Sequence, residues 1–330
     1  MLPPGGREKR GGSCGHHTLD AGAGQAVEQA GATIINTGIG WYEARIPTIA
    51  TMVPRAGFTW VTRRLMGKVG IPLVTTNRIN RPEVAEEVLA RGDADMVSMA
   101  RPFLADPEFV RKCEENREDE INVCIACNQA CLDHAFEGKT ASCLVNPRAC
   151  HETELRIEPV ARGRRVAVVG AGPAGLAAAS VAAERGHHVV LFESDGEIGG
   201  QFNMAKRIPS KEEFHETLRY FSRRLETTGV DLRLRTRVSC EALAEQQFDH
   251  VILATGVMPR VPQIDGIDHP KVVSYVDILT GRATAGRIVA IVGAGGIGFD
   301  VAEFLSHRNG GPEIRRFNRE WGIDSNLSAR

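Results

Sequence analysis

The chain has 330 residues, which suggests two or three domains, and its 42% hydrophobic content is sufficient for a sizeable core. Its 40 basic and 41 acidic residues nearly cancel, so the charge balance argues against nucleic-acid or membrane-surface partners. No signal peptide is evident, and four of the 8 cysteines are clustered at ligand spacing, which predicts a reducing, cytoplasmic location.

The first predicted elements follow a glycine-rich start. Residues 1–24 are expected to form a disordered tail, because they lack a clear hydrophobic periodicity. Order is predicted to begin near Gln25, where the end of a helix leads into a buried strand at residues 32–36.

Residues 25–112 repeat a strand–helix rhythm. Short apolar strands are predicted at residues 71–76 and 95–100, with a helix between them at residues 82–91 that ends at Gly92. Strands separated by helices of this length indicate an α/β fold with a parallel sheet. Three strands cannot close a barrel, so either the sheet is open or the segment is the C-terminal part of a (β/α)8 barrel.

Two arginines lie just beyond the C-terminal ends of these strands, at Arg78 and Arg101. In a (β/α)8 barrel this face holds the active site, and the loops after the last strands commonly bind phosphate. The planar guanidinium group suits a phosphate monoester such as that of FMN. Surface pairing of the arginines with Asp93 or Asp106 explains their position equally well.

Residues 113–160 are predicted to have little secondary structure and to contain a set of ligands. Cys124, Cys127, Cys131 and Cys143 follow the pattern C-x2-C-x3-C-x11-C. Thiolates bind both iron–sulfur clusters and zinc, but the common zinc modules use other spacings. The pattern therefore favours an iron–sulfur cluster, with a structural zinc site as the alternative.

A dinucleotide-binding turn opens the predicted FAD-binding domain at residues 161–280. Gly170, Gly172 and Gly175 form a G-x-G-x-x-G motif between a predicted strand and an alanine-rich helix. Glu193 ends the next predicted strand, 21 residues after Gly172. The glycines let a pyrophosphate approach the helix N-terminus, and the acid can accept a hydrogen bond from a ribose hydroxyl.

An uncharged run of 18 residues, 166–183, overlaps this motif and is long enough to suggest a membrane helix. Because it contains three glycines and a proline, a strand–turn–helix unit explains it better. Further along, a helix is predicted at residues 211–227 and strands at residues 230–234 and 250–256.

A second motif of the same kind lies in residues 281–330. A predicted strand at residues 287–292 leads into Gly293, Gly295 and Gly298. Two such motifs about 120 residues apart imply two nucleotides, a bound flavin and an exchangeable nicotinamide. This second nucleotide-binding domain is expected to be incomplete, because only 32 residues follow Gly298.

Six strings carry a resemblance to a known family: ATIINTGIGW at 32–41, TTNRIN at 75–80, DADMVSMARPF at 93–103, the cysteine run at 124–133, CLVNPRAC at 143–150 and IGGQF at 198–202. With them, the chain resembles the bacterial 2,4-dienoyl-CoA reductases. These belong to the iron–sulfur branch of the old yellow enzyme flavoproteins, beside trimethylamine dehydrogenase. The resemblance runs from about residue 25 to about residue 327.

The resemblance implies a relay in which NADPH reduces FAD, a [4Fe–4S] cluster on the four cysteines passes single electrons to FMN, and FMN reduces a conjugated acyl-CoA. It assigns FAD contacts to Gly170, Gly172, Ala174, Gly175, Glu193, Gln201, Lys211 and Val238. It assigns FMN contacts to Arg78, Ala100 and Arg101. Gly293, Gly295 and Gly298 would then face NADPH.

The chain departs from the family at a predicted catalytic position. The family usually presents a histidine directly after Trp41, beside the substrate carbonyl, and this chain has Tyr42. A tyrosine hydroxyl can still donate a hydrogen bond to a developing enolate, although its ordinary pKa makes it a different acid. A partly buried aromatic residue without a catalytic role is the alternative.

The family's earlier barrel strands have no counterpart in the sequence. The chain on its own is therefore predicted to bind FAD, to be capable of holding a cluster, and to reduce dienoyl-CoA poorly or not at all.

Three other functions fit parts of the pattern. The substrate could be an amine or an N-methyl compound, as in related dehydrogenases. The chain could be an electron-transfer module resembling the small subunit of glutamate synthase, although residues 25–110 have no place in such a subunit. An inactive fragment is the third alternative.

Overall fold

The computed structural model describes residues 21–40, 44–307 and 313–325. Within them the chain forms two parallel sheets connected by a cysteine-rich segment. The seven strands are β1 (Ile35–Thr37), β2 (Leu73–Thr75), β3 (Met96–Val97), β4 (Arg165–Val169), β5 (His188–Phe192), β6 (Asp231–Arg233) and β7 (His250–Leu253).

Helices surround both sheets and also connect them. The helices before the second sheet are α1 (Ala21–Gln29), α2 (Thr59–Arg63), α3 (Pro82–Ala90), α4 (Arg101–Ala105), α5 (Phe109–Glu114) and α6 (His134–Phe136), with a 3-10 turn at Glu118–Glu120 and a π-helical turn at Gln129–Asp133. The remaining helices are α7 (Pro173–Glu184), α8 (Phe202–Ala205), α9 (Phe214–Thr228), α10 (Cys240–Glu245), α11 (Tyr275–Thr280), α12 (Gly296–Ser306) and α13 (Ile314–Trp321).

The first sheet has the strand order β1-β2-β3, with both neighbouring pairs parallel. Helix α3 follows β2, and its fully buried Val88 packs with Ile79 and Ala56 in a small apolar cluster. The predicted strand–helix rhythm is confirmed, although the strands are shorter than the apolar runs that predicted them. The C-terminal ends of the three parallel strands therefore lie at the same edge of this sheet.

The second sheet has the order β6-β5-β4-β7 and is parallel throughout. Its core is built from the alternating residues of β4 and β5, with Val168 and Leu191 fully buried. Leu176 of α7 and Leu225 of α9 close this core from the helical side. The predicted strand–turn–helix unit at residues 165–185 is therefore confirmed, with α7 ending one residue earlier, at Glu184.

The boundary of the predicted disordered tail needs a correction. Residues 1–20 lie outside the described residues, but residues 21–24 form the start of helix α1. Gly24 packs closely there, since a Cβ atom at this position would lie 3.1 Å from Val69 Cγ1. Tertiary packing therefore orders a glycine-rich stretch that has little helical propensity of its own.

The predicted strand at residues 287–292 is wrong. This segment has no strand assignment, and Ile288 and Val292 are 98% and 84% exposed. The apolar run is typical of a buried strand, but such a strand is stable only when neighbours supply hydrogen bonds and cover. No other strand of the described residues runs beside it.

Helix α13 packs against the first half of the chain, a role that the sequence did not indicate. Its Phe317 is buried and meets Phe58 edge-on, with ring centroids 6.1 Å apart. Ile39 and Ile46, from the loop after β1, complete the same apolar cluster.

Among the described residues, no helix is both long enough and apolar enough to cross a membrane.

Candidate cofactor sites

The four predicted ligand cysteines line one pocket. Cys124, Cys127, Cys131 and Cys143 surround it together with Arg101, and its empty volume, including the part open to solvent, is about 300 Å³. Cys124 is buried and the other three are half-buried, and all four thiols are free. The cysteines that share this spacing in the sequence therefore also share a pocket in the structure.

Local backbone conformations bring the cysteines together. Ala126 and Asn128 both adopt left-handed conformations, with φ of 54° and 63°, so the chain turns sharply on either side of Cys127. The π-helical turn that follows carries Cys131. The amide of Ser142 donates to the carbonyl oxygen of Ala130 at 2.7 Å, which places Cys143 beside the turn.

The pocket presents backbone donors to sulfur. The amide of Ala126 donates to Cys124 Sγ at 3.4 Å. Burial raises the pKa of Cys124 and Cys127, and it raises the pKa of Cys143 to about 11, while donation from backbone amides opposes each shift. Amides aimed at sulfur are a feature by which proteins tune iron–sulfur clusters.

Three polar side chains fix the main chain around the pocket. Asn80 Nδ2 donates to the carbonyl oxygen of Cys124 at 2.8 Å, and Thr51 Oγ1 donates to that of Ala126 at 3.0 Å. Asn122 Nδ2 donates to the carbonyl oxygen of Val145 at 2.7 Å, two residues after Cys143. The pocket is therefore shaped by contacts with the first sheet's loops as well as by its own turns.

In the described parts of the chain, no group of three or more His, Cys, Asp or Glu side chains is arranged to hold a metal ion. A single tetrahedral zinc ion requires sulfurs only about 2.3 Å from one point. The iron–sulfur cluster predicted from the cysteine spacing therefore remains a prediction.

The residues predicted to contact FMN have different surroundings. Arg78 is buried and its guanidinium group is hydrogen-bonded within the protein. Its Nε donates to the carbonyl oxygen of Val53 at 2.8 Å, and its Nη2 donates to Glu213 Oε1 at 2.7 Å. With only 2% of its side chain exposed, it does not fit the role of a phosphate ligand. Neither Asp93 nor Asp106, the surface partners considered from the sequence, pairs with it.

Arg101 and Ala100 lie at a more open position. Ala100 is exposed and directly precedes helix α4. Arg101 Nη2 donates to the carbonyl oxygen of Ile49 at 2.9 Å, and Nη1 donates to Asn128 Oδ1 in the cysteine segment. Arg101 therefore connects the strand-end edge with the cysteine pocket. Tyr42 lies outside the described residues.

The first glycine turn has the geometry that a dinucleotide requires. Gly170 has φ of 102°, and a Cβ atom at Gly175 would lie 1.8 Å from the carbonyl oxygen of Gly170. A Cβ atom at Gly172, by contrast, would meet nothing within 4 Å. The turn itself needs the first and third glycines, whereas the open space at Gly172 is available to a ligand. Ala174 is exposed in the first turn of α7.

The predicted ribose acceptor Glu193 lies at this turn. Its Oε2 accepts from the amide of Ala171 at 2.7 Å, and its Oε1 accepts from the amide of Asp195 at 2.9 Å. Ser194 Oγ also donates to Oε1, at 3.1 Å. A carboxylate has about four acceptor positions, so about one remains for a ribose hydroxyl. The amide of Gly199 donates to the carbonyl oxygen of Ala171 at 2.8 Å, which attaches the following Gly-Gly-Gln loop to the same turn.

The three remaining residues predicted to contact FAD differ in their exposure and in their partners. Gln201 is exposed and donates to the carbonyl oxygen of Val257 at 2.9 Å. Val238 is half-buried in the loop before α10. Lys211 is occupied by an ion pair with Asp300 of α12.

The second glycine turn repeats the first. Gly293 has φ of 117°, and a Cβ atom at Gly298 would lie 2.0 Å from the carbonyl oxygen of Gly293. Again a Cβ atom at the middle glycine, Gly295, would meet nothing within 4 Å. The glycine turn is therefore formed as predicted and leads into helix α12, although the strand expected before it is absent from the described structure.

Comparisons with known protein families agree with this two-part arrangement. Residues 12–120 match the model of the NADH:flavin oxidoreductase / NADH oxidase family. Residues 164–314 match the model of pyridine nucleotide-disulphide oxidoreductases. The chain thus combines a segment that matches the NADH:flavin oxidoreductase model with a segment that matches the pyridine nucleotide-disulphide oxidoreductase model. The first match begins inside the predicted tail.

The chain is also similar to individual proteins along most of its length. The chain is 38% identical to a metal reductase of Desulforamulus reducens over 86% of its own length and 43% of the relative's. It is 32% identical to an NADH oxidase of Thermoanaerobacter brockii, over 94% of the chain and 49% of the relative. A solved 2-naphthoyl-CoA reductase complex aligns with 92% of the chain at a TM-score of 0.85 and 29% identity, covering 49% of that chain. The chain spans about half the length of these proteins.

Sequence reasoning missed the residues that connect the two parts. Asn80 and Thr51 have no pattern that distinguishes them from ordinary loop residues. Helix α9 did carry a signal, because Glu213, Glu216 and Arg219 are spaced three residues apart and so share one face of the helix.

Proposed function

We propose that the chain belongs to a reductase that uses NADPH to reduce a carbon–carbon double bond conjugated with an acyl-CoA thioester, specifically a 2,4-dienoyl-CoA. The observation that carries this proposal is the pocket shared by Cys124, Cys127, Cys131 and Cys143, which borders Arg101 at the strand-end edge of the flavin-oxidoreductase segment. The similarity to a 2-naphthoyl-CoA reductase complex supports an acyl-CoA substrate.

The residues present fit two of the implied groups. The cysteines and the amide aimed at Cys124 Sγ would hold a [4Fe–4S] cluster, and the first glycine turn with Glu193 would hold FAD. When bound, these groups supply electron transfer in single steps and the conversion between one- and two-electron chemistry. The protein's contribution is to orient them and to fix their surroundings.

The fit to FMN is only partial. The burial of Arg78 and its hydrogen bonds to Val53 and Glu213 oppose a role as phosphate ligand and leave a contact with the flavin ring as its predicted role, so Arg101 is the better-placed arginine for the phosphate. Arg101 is half-buried, so its guanidinium can both face a phosphate and remain hydrogen-bonded to the cysteine segment.

Cofactor analysis of the purified protein tests the first part of the proposal. We expect FAD, together with iron and acid-labile sulfide in equal amounts. The flavin absorbance should bleach on anaerobic addition of NADPH. Zinc in place of iron, or flavin that is not reduced by NADPH, would contradict the proposal.

The substrate class is tested by the direction of electron flow. Because the chain on its own is expected to reduce dienoyl-CoA poorly, the comparison is between slow rates: protein reduced by NADPH and supplied with FMN should be reoxidised slowly by a 2,4-dienoyl-CoA, and more slowly still by the saturated acyl-CoA of the same length, which has no double bond to reduce. An amine or N-methyl substrate would instead reduce the oxidised flavin. Bleaching by dimethylamine in the absence of NADPH would favour the amine dehydrogenase alternative.

A further inference from the structure

Helix α9 presents one charged face to the other half of the chain. Glu213, directly before the helix, and Glu216, Arg219 and Arg223 within it are spaced three, three and four residues apart. Residues at these spacings lie on one side of a helix. On the opposite side, Leu225 is buried in the core of the second sheet and Phe221 packs against it. One helix thus belongs to the FAD-type domain and contacts the flavin-oxidoreductase segment.

Glu213 is the most buried member of this face. Its Oε1 accepts from Arg78 Nη2 at 2.7 Å and from Arg55 Nε at 2.9 Å, and its Oε2 accepts from Arg55 Nη2 at 2.6 Å. Burial alone would raise the pKa of Glu213, but the hydrogen bonds and charges of the two arginines outweigh it and hold the pKa below its ordinary value. The carboxylate is therefore charged and fully paired in the fold.

Arg78 continues the connection towards the cysteines. It lies at the end of β2 with a left-handed backbone, at φ of 56°, and Asn80 follows two residues later. Asn80 is 2% exposed, and it holds the carbonyl oxygen of Cys124 at 2.8 Å. A shift of Arg78 would displace this loop and with it the buried ligand cysteine.

A second connection runs directly from α9. Arg219 Nη2 donates to the carbonyl oxygen of Ile121 at 2.7 Å, three residues before Cys124, and Nη1 donates to that of Asp119. Glu216 holds Arg219 in place, with its Oε2 2.8 Å from Arg219 Nε. The cysteine segment is thus fixed to α9 on one side and to the loop after β2 on the other.

We propose that Glu213 and Arg219 are positioning residues that set Cys124 relative to the FAD-binding turn, so that the cysteine pocket and the FAD-type domain move as one unit. The consequence of this coupling for electron transfer rests on the proposed function, because the separation of the cysteine pocket from the FAD-binding turn affects electron transfer only when FAD and a cluster are bound. Transfer between two such groups depends on their separation, and α9 contacts both regions: Leu225 packs in the core that includes Ala171 of the turn, and Arg219 is hydrogen-bonded to the cysteine segment.

Hydrogen exchange followed by mass spectrometry tests the coupling. Glu213→Gln keeps the size of the side chain and removes its charge, and Arg219→Lys keeps the charge and removes the two-pronged donor. Each change is expected to increase the hydrogen-exchange rate about tenfold in peptides covering residues 76–81 and 119–131. A hydrogen bond to a charged group contributes enough free energy to change a local opening equilibrium by at least about this factor. Exchange in residues 165–169 and 188–192 should stay unchanged. The matched control is Glu245→Gln, which removes the charge of an exposed residue of α10.

Iron release to a chelator gives a second readout. Both test variants are expected to lose iron about tenfold faster than the wild-type protein and the control, for the same reason. Unchanged exchange around Cys124, or an equal rise throughout the second sheet, would overturn the inference. Should Glu213→Gln not fold, Arg219→Lys decides alone. A wild-type protein without iron or FAD would overturn the proposed function, while the exchange experiment would still decide the coupling.

Discussion

The ammonium group of Lys211 lies 2.7 Å from both carboxylate oxygens of Asp300. Lys211 was predicted to contact FAD, yet it connects the first nucleotide-binding unit with helix α12 of the second. Both side chains remain about one-third exposed, so solvent weakens the pair. An ion pair of this exposure contributes about 0.2–1 kcal/mol to the free energy of unfolding.

A double-mutant cycle of Lys211→Met and Asp300→Asn tests this assignment. The coupling measured by urea unfolding should lie within about 0.2–1 kcal/mol. The FAD content of both single variants should equal that of the wild-type protein. Loss of FAD in Lys211→Met but not in Asp300→Asn would instead support the predicted contact between Lys211 and FAD.

The middle glycines of the two turns give a selective test of nucleotide binding. An alanine Cβ at Gly172 or Gly295 would meet no protein atom within 4 Å, and neither residue has a positive φ. Stability should therefore change by less than about 0.5 kcal/mol in both alanine variants. The methyl group would occupy the space that a pyrophosphate needs. Gly172→Ala is expected to weaken FAD binding at least about tenfold, equivalent to about 1.4 kcal/mol.

Gly295→Ala should keep FAD and slow its reduction by NADPH. Gly38→Ala serves as the control, because a Cβ atom there also meets nothing within 4 Å and Gly38 lies far from both turns in the sequence. FAD retention is measured after gel filtration, and flavin reduction is measured by anaerobic stopped flow. Equal FAD binding in Gly172→Ala and the wild-type protein would contradict the assignment of the first turn.

The sequence predicted the features that depend on short-range patterns. The glycine spacing determined both turns because close backbone approach admits no side chain at Gly175 and Gly298. The cysteine spacing likewise predicted a single pocket. Partners remote in the sequence could not be predicted: Arg78 pairs with Glu213, which is 135 residues away, and no local signal connects them.

The predicted strand at residues 287–292 shows that a local pattern alone is not sufficient for a strand to form. Its apolar run satisfies the local preference for a strand, but a strand also requires a neighbour to receive its hydrogen bonds. Helix α13 is a similar case, because its packing on Phe58 depends on a surface formed more than 250 residues earlier. Such contacts depend on the three-dimensional arrangement of distant segments and produce no periodic pattern in the sequence.

Serine substitutions test the ligand set cysteine by cysteine. Changing Cys124, Cys127, Cys131 or Cys143 to serine replaces a soft thiolate by a hydroxyl, which is a poor ligand for an iron–sulfur cluster. Each variant should lose most of its iron and sulfide, as measured by colorimetric assay, and keep FAD. Cys150→Ser is the control, since Cys150 is exposed and does not line the pocket. Full iron content in any of the four variants would remove that residue from the ligand set.

Acid unfolding should reveal the contribution of Glu216. Burial alone would raise the pKa of Glu216, but hydrogen bonds from Arg219 and Arg81 lower it from 4.5 to about 2. A carboxyl group whose pKa falls on folding stabilises the fold above its unfolded pKa and loses that contribution as the pH falls through the folded value. The window is therefore pH 4.5 to about 2. The shift corresponds to at most about 3 kcal/mol.

Glu216→Gln removes this contribution at every pH. The difference in unfolding free energy between the wild-type protein and the variant, measured by urea denaturation, should be largest above about pH 5 and should shrink steadily towards pH 2. Glu226→Gln supplies the control on the same helix, and its difference should stay small across the range because its carboxylate is exposed. A difference for Glu216→Gln that stays constant, or that grows as the pH falls, would show that the carboxylate of Glu216 is not held charged by Arg81 and Arg219.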